Sequence, residues 1–401
     1  MNAKRAIHPT TLLFAARALR DFGDGFVAVL LPAYLLALGF DAFRVGVLAT
    51  AALLGSSLLT LAAGVLGTRY DHRQLLVGCA SLMVATGVAF ALVDGYAVLL
   101  VVAFAGTVNP SGGSVSVFVP LEHALLADTV DDKARTRMFA RYSLFGSLAA
   151  AAGALAAGLP DLAARSGADL LPALKAMFVL YALLGLLGGL IYARIPLRQP
   201  ASAPEAKAPL GPSRPIVYRL AALFCIDSFA GGFIVQSLLA LWLLERFDLS
   251  LAAAGLFFFW TGVLSAFSFP VAAWLSRHIG LVNTMVYTHI PSSICLILAA
   301  FAPTLPLTLA LLLARAALSQ MDVPTRSSYV MAVVTAPERA AAASFTSVPR
   351  SLASSLSPAL AGALLAGGYR AWPLVICGVL KIAYDLLLLR QFRHVKPPEE
   401  R

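Results

Sequence analysis

Residues 11–40 read TLLFAARALRDFGDGFVAVLLPAYLLALGF, an apolar run that carries Arg17, Arg20, Asp21 and Asp24 in its first half. The four charges fall at i, i+3, i+4 and i+7. A helix therefore gathers them into one stripe, while Leu12, Leu13, Phe14, Val27, Val29 and Leu30 cover the remainder. A charged side chain near the centre of a bilayer costs at least ~2.5 kcal/mol, so the stripe must face protein or water. The stretch predicts one wall of a polar pathway through a helical membrane protein. Its spacing also predicts two i, i+4 ion pairs, Arg17 with Asp21 and Arg20 with Asp24.

The rest of the chain agrees with that class. Of 401 residues, 60% are hydrophobic and 12% charged, and the mean hydropathy is +0.84. Soluble domains carry roughly 25% charged residues. The formal charge of +10 would suggest nucleic acid in a soluble protein, but here it first has to be mapped onto topology. Cys79, Cys225, Cys295 and Cys377 lie in separate apolar runs without CxxC spacing, and read as small core residues rather than disulfide or metal ligands. The basic start, MNAKRAIHPT, leads into a long run interrupted by charge, with no small-residue cleavage site. A first membrane span is expected there, not a signal peptide.

Runs long enough to cross about 30 Å of hydrocarbon recur at 11–38, 43–67, 74–93, 96–126, 138–159, 170–193, 217–244, 251–275, 280–302, 304–334, 341–367 and 371–390. The expected fold is all-α, with twelve transmembrane helices in two pseudo-symmetric six-helix bundles. Residues 1–193 form the N-terminal bundle, 194–216 a cytoplasmic linker rich in Pro and Ala, 217–390 the C-terminal bundle and 391–401 a cytoplasmic tail. Lys and Arg in the connections set the orientation. With the N-terminus inside, the cytoplasmic side collects most of them, Lys4, Arg5, Arg69, Arg73, Lys133, Arg194 and Arg277 among others. Only Arg44, Arg165, Arg246 and Arg370 fall opposite. Both termini are thus expected in the cytoplasm, and the net charge needs no nucleic acid to explain it.

The two halves repeat. AGALAAG at 152–158 returns as AGALLAG at 361–367, and Arg141 returns as Arg350, both at an offset of 209. Phe22, Gly25 and Phe26 match Phe229, Gly232 and Phe233 at 207. Two like-oriented halves with a site between them are the parallel-repeat plan of alternating-access transporters.

Between the second and third runs stand Gly64, Val65, Leu66, Gly67, Thr68, Arg69, Tyr70, Asp71, His72 and Arg73. The stretch resembles the loop motif of the major facilitator superfamily, Gly-x-Leu-Ala-Asp-Arg-x-Gly-Arg-Arg. Gly64, Leu66, Arg69 and Arg73 match, whereas Thr68 replaces the acidic residue and Asp71 the second glycine. Leu275 to Gly280, with Arg277, give a fainter copy. The resemblance implies that spans one, four, seven and ten line the cavity. It also implies a gate at the motif and its copy, for which Arg69, Arg73 and Arg277 are the candidates; Arg141 and Arg350, equivalent by the repeat and near the cytoplasmic ends of the fifth and eleventh spans, read as gate or snorkelling residues. The signatures of drug:proton antiporters are absent from spans four and five, since AGTVNPSGG at 105–113 carries no basic residue.

Intramembrane charges concentrate on those same spans. Arg315, Ser319, Asp322 and Arg326 fall at i, i+4, i+7 and i+11 in the tenth, where Pro324 should bend the helix. The seventh adds Asp227, and the fourth adds Asn109, Ser111, Ser114 and Ser116. Asp24 and Asp227 are expected to gain and lose protons between conformations. Arg315 and Arg326 either hold an anionic group of a solute or lock Asp322 and Asp227 in the unloaded state. Arg17 and Arg20 have a second reading as paired packing residues. Lys381 and Asp385, an i, i+4 pair on the twelfth span, read as structural. Glu122 and His123 read as a gate or headgroup contact, with a proton relay as the alternative. Asp128, Asp131, Asp132, Lys133, Arg135 and Arg137 read as a solvated loop.

Together these features predict a secondary active transporter of the cytoplasmic (inner) membrane that moves a small organic solute by alternating access, with proton coupling and efflux favoured. Mixed charge suits a zwitterion, or an amphipathic molecule with an ionised group, better than a neutral sugar. An uncoupled or uptake permease of the same fold is the alternative. A membrane-embedded transferase and a transporter-derived sensor are alternatives of another class. Against an enzyme, no paired-Asp metal motif, His/Cys cluster, Ser/His/Asp arrangement or phosphate loop is found. No cofactor and no nucleic acid are expected. The partners are solute, protons and lipid, and the chain is expected to act as a monomer.

Overall fold

The computed structural model describes residues 8–67, 69–113, 116–127, 132–196, 210–393 and 395. The first seven residues, Thr68, Ser114, Asp128, Asp131, residues 197–209 of the expected linker and 394 and 396–401 of the expected tail lie outside the described residues. The regular structure among the described residues is helical, with no strand. In chain order the helices are α1 (Pro9–Ala37), α2 (Ala42–Leu66), α3 (His72–Leu92), α4 (Tyr96–Ala105), α5 (Phe118–Ala127), α6 (Asp132–Ala156), α7 (Leu159–Arg165) and α8 (Leu170–Tyr192). After the linker come α9 (Arg214–Gly232), α10 (Gln236–Phe247), α11 (Leu251–Ile279), α12 (Leu281–Phe301), α13 (Leu305–Ser319), α14 (Asp322–Val333), α15 (Arg339–Ala366) and α16 (Trp372–Phe392).

Local chemistry sets the ends. Pro9 opens α1, where its missing N–H is an orphan in any case. Asp71, which occupies the second glycine position of the loop motif, caps α3 by accepting from Arg73 N at 2.7 Å. Eight stretches among the described residues are long and apolar enough to cross a membrane. At 29 residues, α1 is about 43 Å long and has the reach despite its four charges.

Three expected spans are not continuous helices. The fourth stops at Ala105 and resumes at Phe118, because Pro110 cannot donate to the helix ladder and Gly112 and Gly113 take φ of +66° and +91°. The seventh breaks between Gly232 and Gln236. The tenth was expected to bend at Pro324 but breaks at Gln320–Met321; Pro324 falls in the first turn of α14, where proline is tolerated.

The chain divides into two compact units. The first comprises Met1–Gly39, Ala51–Pro204 and Ser250–Phe259, and the second Phe40–Thr50, Glu205–Leu249 and Trp260–Arg401. In the first, α1 packs on α6 and α8, and α3 packs on α8. Gly25 and Gly153 let α1 and α6 meet backbone to backbone, since a Cβ on either would overlap the carbonyl of Ala150 or of Phe22. In the second, α9 packs on α15 and α16, and α12 packs on α16. There Gly232, the repeat partner of Gly25, meets Ser354 and Ser357 of α15 in the same way. The sequence repeat thus returns as a repeat of helix pairing, α1–α6 with α9–α15 and α3–α8 with α12–α16.

Candidate functional site: two buried charge clusters

The α1 stripe forms as its spacing requires. Arg17, Arg20, Asp21 and Asp24 are all buried. Arg17 Nε lies 2.5 Å from Asp21 Oδ2, but off the line of its N–H, so Nε and Nη1 are buried without a hydrogen bond. Its guanidinium covers the Tyr142 ring at 4.3 Å. Gly146 of α6 leaves the room for this pair, because a Cβ there would overlap both side chains.

The expected Arg20–Asp24 pair does not form. Arg20 turns instead to Asp21, with Nη2–Oδ1 at 3.0 Å, and to Glu122 of α5, with Nη1–Oε2 at 2.8 Å. Glu122, read from the sequence as a gate or headgroup contact, is fully buried. It also accepts from Tyr192 OH at 2.6 Å and from Tyr142 OH. A buried carboxylate needs several donors, and no donor of its own α5 bonds it among the described residues: all three come from α1, α6 and α8.

Asp24 is left apart. It is 2% exposed, and no cation pairs with it among the described residues. Tyr181 OH lies 3.3 Å from Asp24 Oδ1 and 3.0 Å from Thr107 O, and its single proton serves one of them at a time. The unwound segment between α4 and α5 runs past this carboxyl. A Cβ on Gly113 would stand 3.7 Å from both Asp21 Oδ1 and Asp24 Oδ2. In that segment Asn109 Oδ1 accepts from Ser111 N at 3.0 Å and Ser111 Oγ at 2.6 Å, which shapes the turn.

The second unit holds a denser cluster. Asp227 of α9 is bound by Lys381 Nζ at 2.5 Å and by Arg326 Nη1 at 3.1 Å. Arg326 also binds Asp322. The expected structural pair Lys381–Asp385 is not formed. Asp385 faces His289 Nδ1 at 3.0 Å, while His289 Nε2 lies 3.4 Å from Lys381 Nζ. An ammonium only donates, so Nε2 is the acceptor and Nδ1 carries the hydrogen, an assignment made from the network. His289 had no sequence signal, being one histidine in an apolar run; only its position opposite α16 reveals it.

Arg315, on α13, stands on the face that buries Thr308 and Leu312. Its guanidinium has no hydrogen bond or ion pair among the described residues. Of the gate candidates, Arg350 is half-buried and donates from Nε to Ser228 Oγ at 3.0 Å. Arg69, Arg141 and Arg277 are exposed and Arg73 half-buried; none of these four is in an ion pair among the described residues. Outside the expected spans, Glu338 gathers Ser213 Oγ, Thr335 Oγ1 and Gly211 N. The two hydroxyls, then the amide, hold its carboxyl down at about 2.

A family model described as Major Facilitator Superfamily matches residues 13–314 and 221–401. The uncharacterized membrane protein YJR124C of Saccharomyces cerevisiae is 26% identical over 97% of this chain and 95% of its own. Solved transporter structures share the fold, two of them as follows. A bacterial homologue of the human lysosomal transporter Spinster, inward-facing and occupied, aligns with TM-score 0.74 at 15% identity over 96% of this chain and 97% of that one. A bacterial homologue of the iron transporter ferroportin, inward-facing, aligns with TM-score 0.73 at 18% identity over 97% of this chain and 99% of that one.

Proposed function

The chain belongs to the Major Facilitator Superfamily and is a multi-pass membrane transporter, and we propose that it moves a small organic solute by alternating access with Asp24 as its proton-carrying group. The observation behind this reading is the isolation of Asp24. Five ionisable side chains of the first cluster, Arg17, Arg20, Asp21, Asp24 and Glu122, are buried, and the two guanidiniums are engaged by Asp21 and Glu122. An ionised Asp24 would be a buried charge with a single tyrosine donor, whereas a protonated one leaves the cluster neutral. The unwound backbone beside it offers an approach for water or solute of the kind that discontinuous helices supply in transporters.

Asp227 has the opposite surroundings. Two cations hold it, and a proton there would weaken its pairs with both Lys381 and Arg326, leaving Arg326 with Asp322. We therefore assign coupling to Asp24 and a charge-holding part to Asp227, Asp322 and Arg326. Arg20 and Asp21 position the Asp24 site, Asn109 shapes the turn beside it, and Arg69, Arg73, Arg141, Arg277 and Arg350 act at gates. Residence in the cytoplasmic membrane, both termini inside, twelve spans in two bundles, action as a monomer and export as the direction complete the proposal. Thermal stabilisation of the purified protein across a metabolite and drug panel tests it. A compound that stabilises the wild type should stabilise D24N with an altered pH dependence. Identical pH profiles for the two proteins would remove Asp24 from the mechanism.

A further inference from the structure

We infer that Arg315 is a docking point for an anionic group, a carboxylate or phosphate monoester, of the transported solute. The inference rests on the transporter reading above and names the class of substrate for it. Away from the ends of the second unit's helices, Arg315, Arg326, Arg350 and Lys381 stand among the carboxylates Asp227, Asp322 and Asp385. Asp227 and Asp322 are taken by Lys381 and Arg326, and Asp385 by His289. His289 is engaged through both ring nitrogens, Nδ1 with Asp385 and Nε2 3.4 Å from Lys381 Nζ. Arg350 has a hydroxyl acceptor in Ser228.

Arg315 is what remains. Its backbone is anchored, since its carbonyl accepts from Ser292 Oγ of α12 at 3.3 Å. Its side chain is half-buried and leaves α13 on the face of Thr308 and Leu312, not towards exposed Leu307 and Ala314. A guanidinium placed so, with no acceptor among the described residues, lacks the partner that membrane-spanning arginines ordinarily have. Its planar fork suits a carboxylate or phosphate, which it binds through two parallel hydrogen bonds. Four residues on, Ser319 precedes the break at Gln320–Met321, so the helix ends one turn beyond the site.

The test is thermal stabilisation of the full-length purified protein by benzoate, succinate and phenyl phosphate, with benzamide and succinamide as neutral counterparts. At least one anion should raise the melting temperature of the wild type while its amide does not. R315Q should weaken the binding of that anion about tenfold or more, and R315K less, since an ammonium keeps the charge but not the fork. Unchanged affinity in R315Q, or no response of the wild type to any of the three anions, overturns the inference. If R315Q is poorly folded, R315K supplies the answer: a folded R315K that binds that anion as tightly as the wild type does also overturns it. Counterflow of the stabilising anion in proteoliposomes separates the two levels. Binding without counterflow contradicts the transporter reading and leaves the anion site standing. Counterflow that R315Q leaves intact contradicts the anion site alone.

Discussion

Lys381 Nζ stands 2.5 Å from Asp227 Oδ1, on a helix 154 residues further along the chain, although Asp385 lies one turn away on its own helix. The local pair loses because Asp385 already has both its oxygens on His289. Asp227, by contrast, accepts from Lys381 and Arg326 together. Breaking a buried ion pair by removing one partner costs about 3–5 kcal/mol. D227N and K381M should therefore each lower the melting temperature sharply, and the double variant should recover part of the loss. Calorimetry or dye-based melting of the three proteins in one detergent checks this, and strictly additive losses would mean that the pair is not coupled.

Glu122 holds the first cluster together. E122Q keeps the shape but loses the charge that Arg20 faces, and its amide cannot accept on both sides from Arg20, Tyr142 and Tyr192. Loss of charge-assisted hydrogen bonds at a buried site costs about 1.5–3 kcal/mol. Y192F removes only one of the three donors and leaves Arg20 and Tyr142 in place, so it should cost about 1.5 kcal/mol, the low end of that range. The ranking E122Q below Y192F in melting temperature is the expected result.

Glycine substitutions should split into two groups. G25A and G153A place a methyl group into the backbone of the facing helix and should destabilise by about 1–3 kcal/mol, with reduced yield. G64A and G78A meet nothing within 4 Å; they should be neutral or gain up to about 1 kcal/mol from helix propensity. Yield and melting temperature of the four variants distinguish the outcomes.

Glu338 sets an internal control for pH. Its carboxyl is held at about 2 against an ordinary 4.5 by Ser213, Thr335 and Gly211. A carboxylate depressed in the folded state stabilises fully above its unfolded value and loses that contribution as pH falls towards the folded one. The contact between Ser213 and the start of α15 should thus hold from about pH 8 down to about pH 5. E338Q should lower the melting temperature by the same amount across that range. A pH-dependent difference between E338Q and wild type there would contradict the assignment.

The helical period exposed much of this in the sequence, since it needs only local information. The α1 stripe and the set Asp322 with Arg326 follow from 3.6 residues per turn, and so does the Arg17–Asp21 pair. What the period cannot show is competition from another helix. Arg20 leaves Asp24 for Glu122, 102 residues away, and that exchange is what isolates Asp24. Pairs at i, i+4 are permitted by geometry but chosen by desolvation, so the partner with more unmet hydrogen bonds wins. His289 shows the same limit, as a lone histidine acquires meaning only opposite Lys381 and Asp385. Hydropathy likewise located spans four, seven and ten without resolving the breaks within them, because a few Gly, Pro and polar residues barely change a twenty-residue average.

The account turns on Asp24 as the group that carries the proton. The most direct measurement is proton movement, read by a pH-sensitive dye sealed inside proteoliposomes, when a stabilising compound is added outside. Wild-type protein should move protons with the compound. D24N should bind the compound and exchange it in counterflow while moving none, and D227N should lose stability before it loses that coupling. Proton movement by D24N equal to wild type, or wild-type transport with no proton movement at all, would contradict the account.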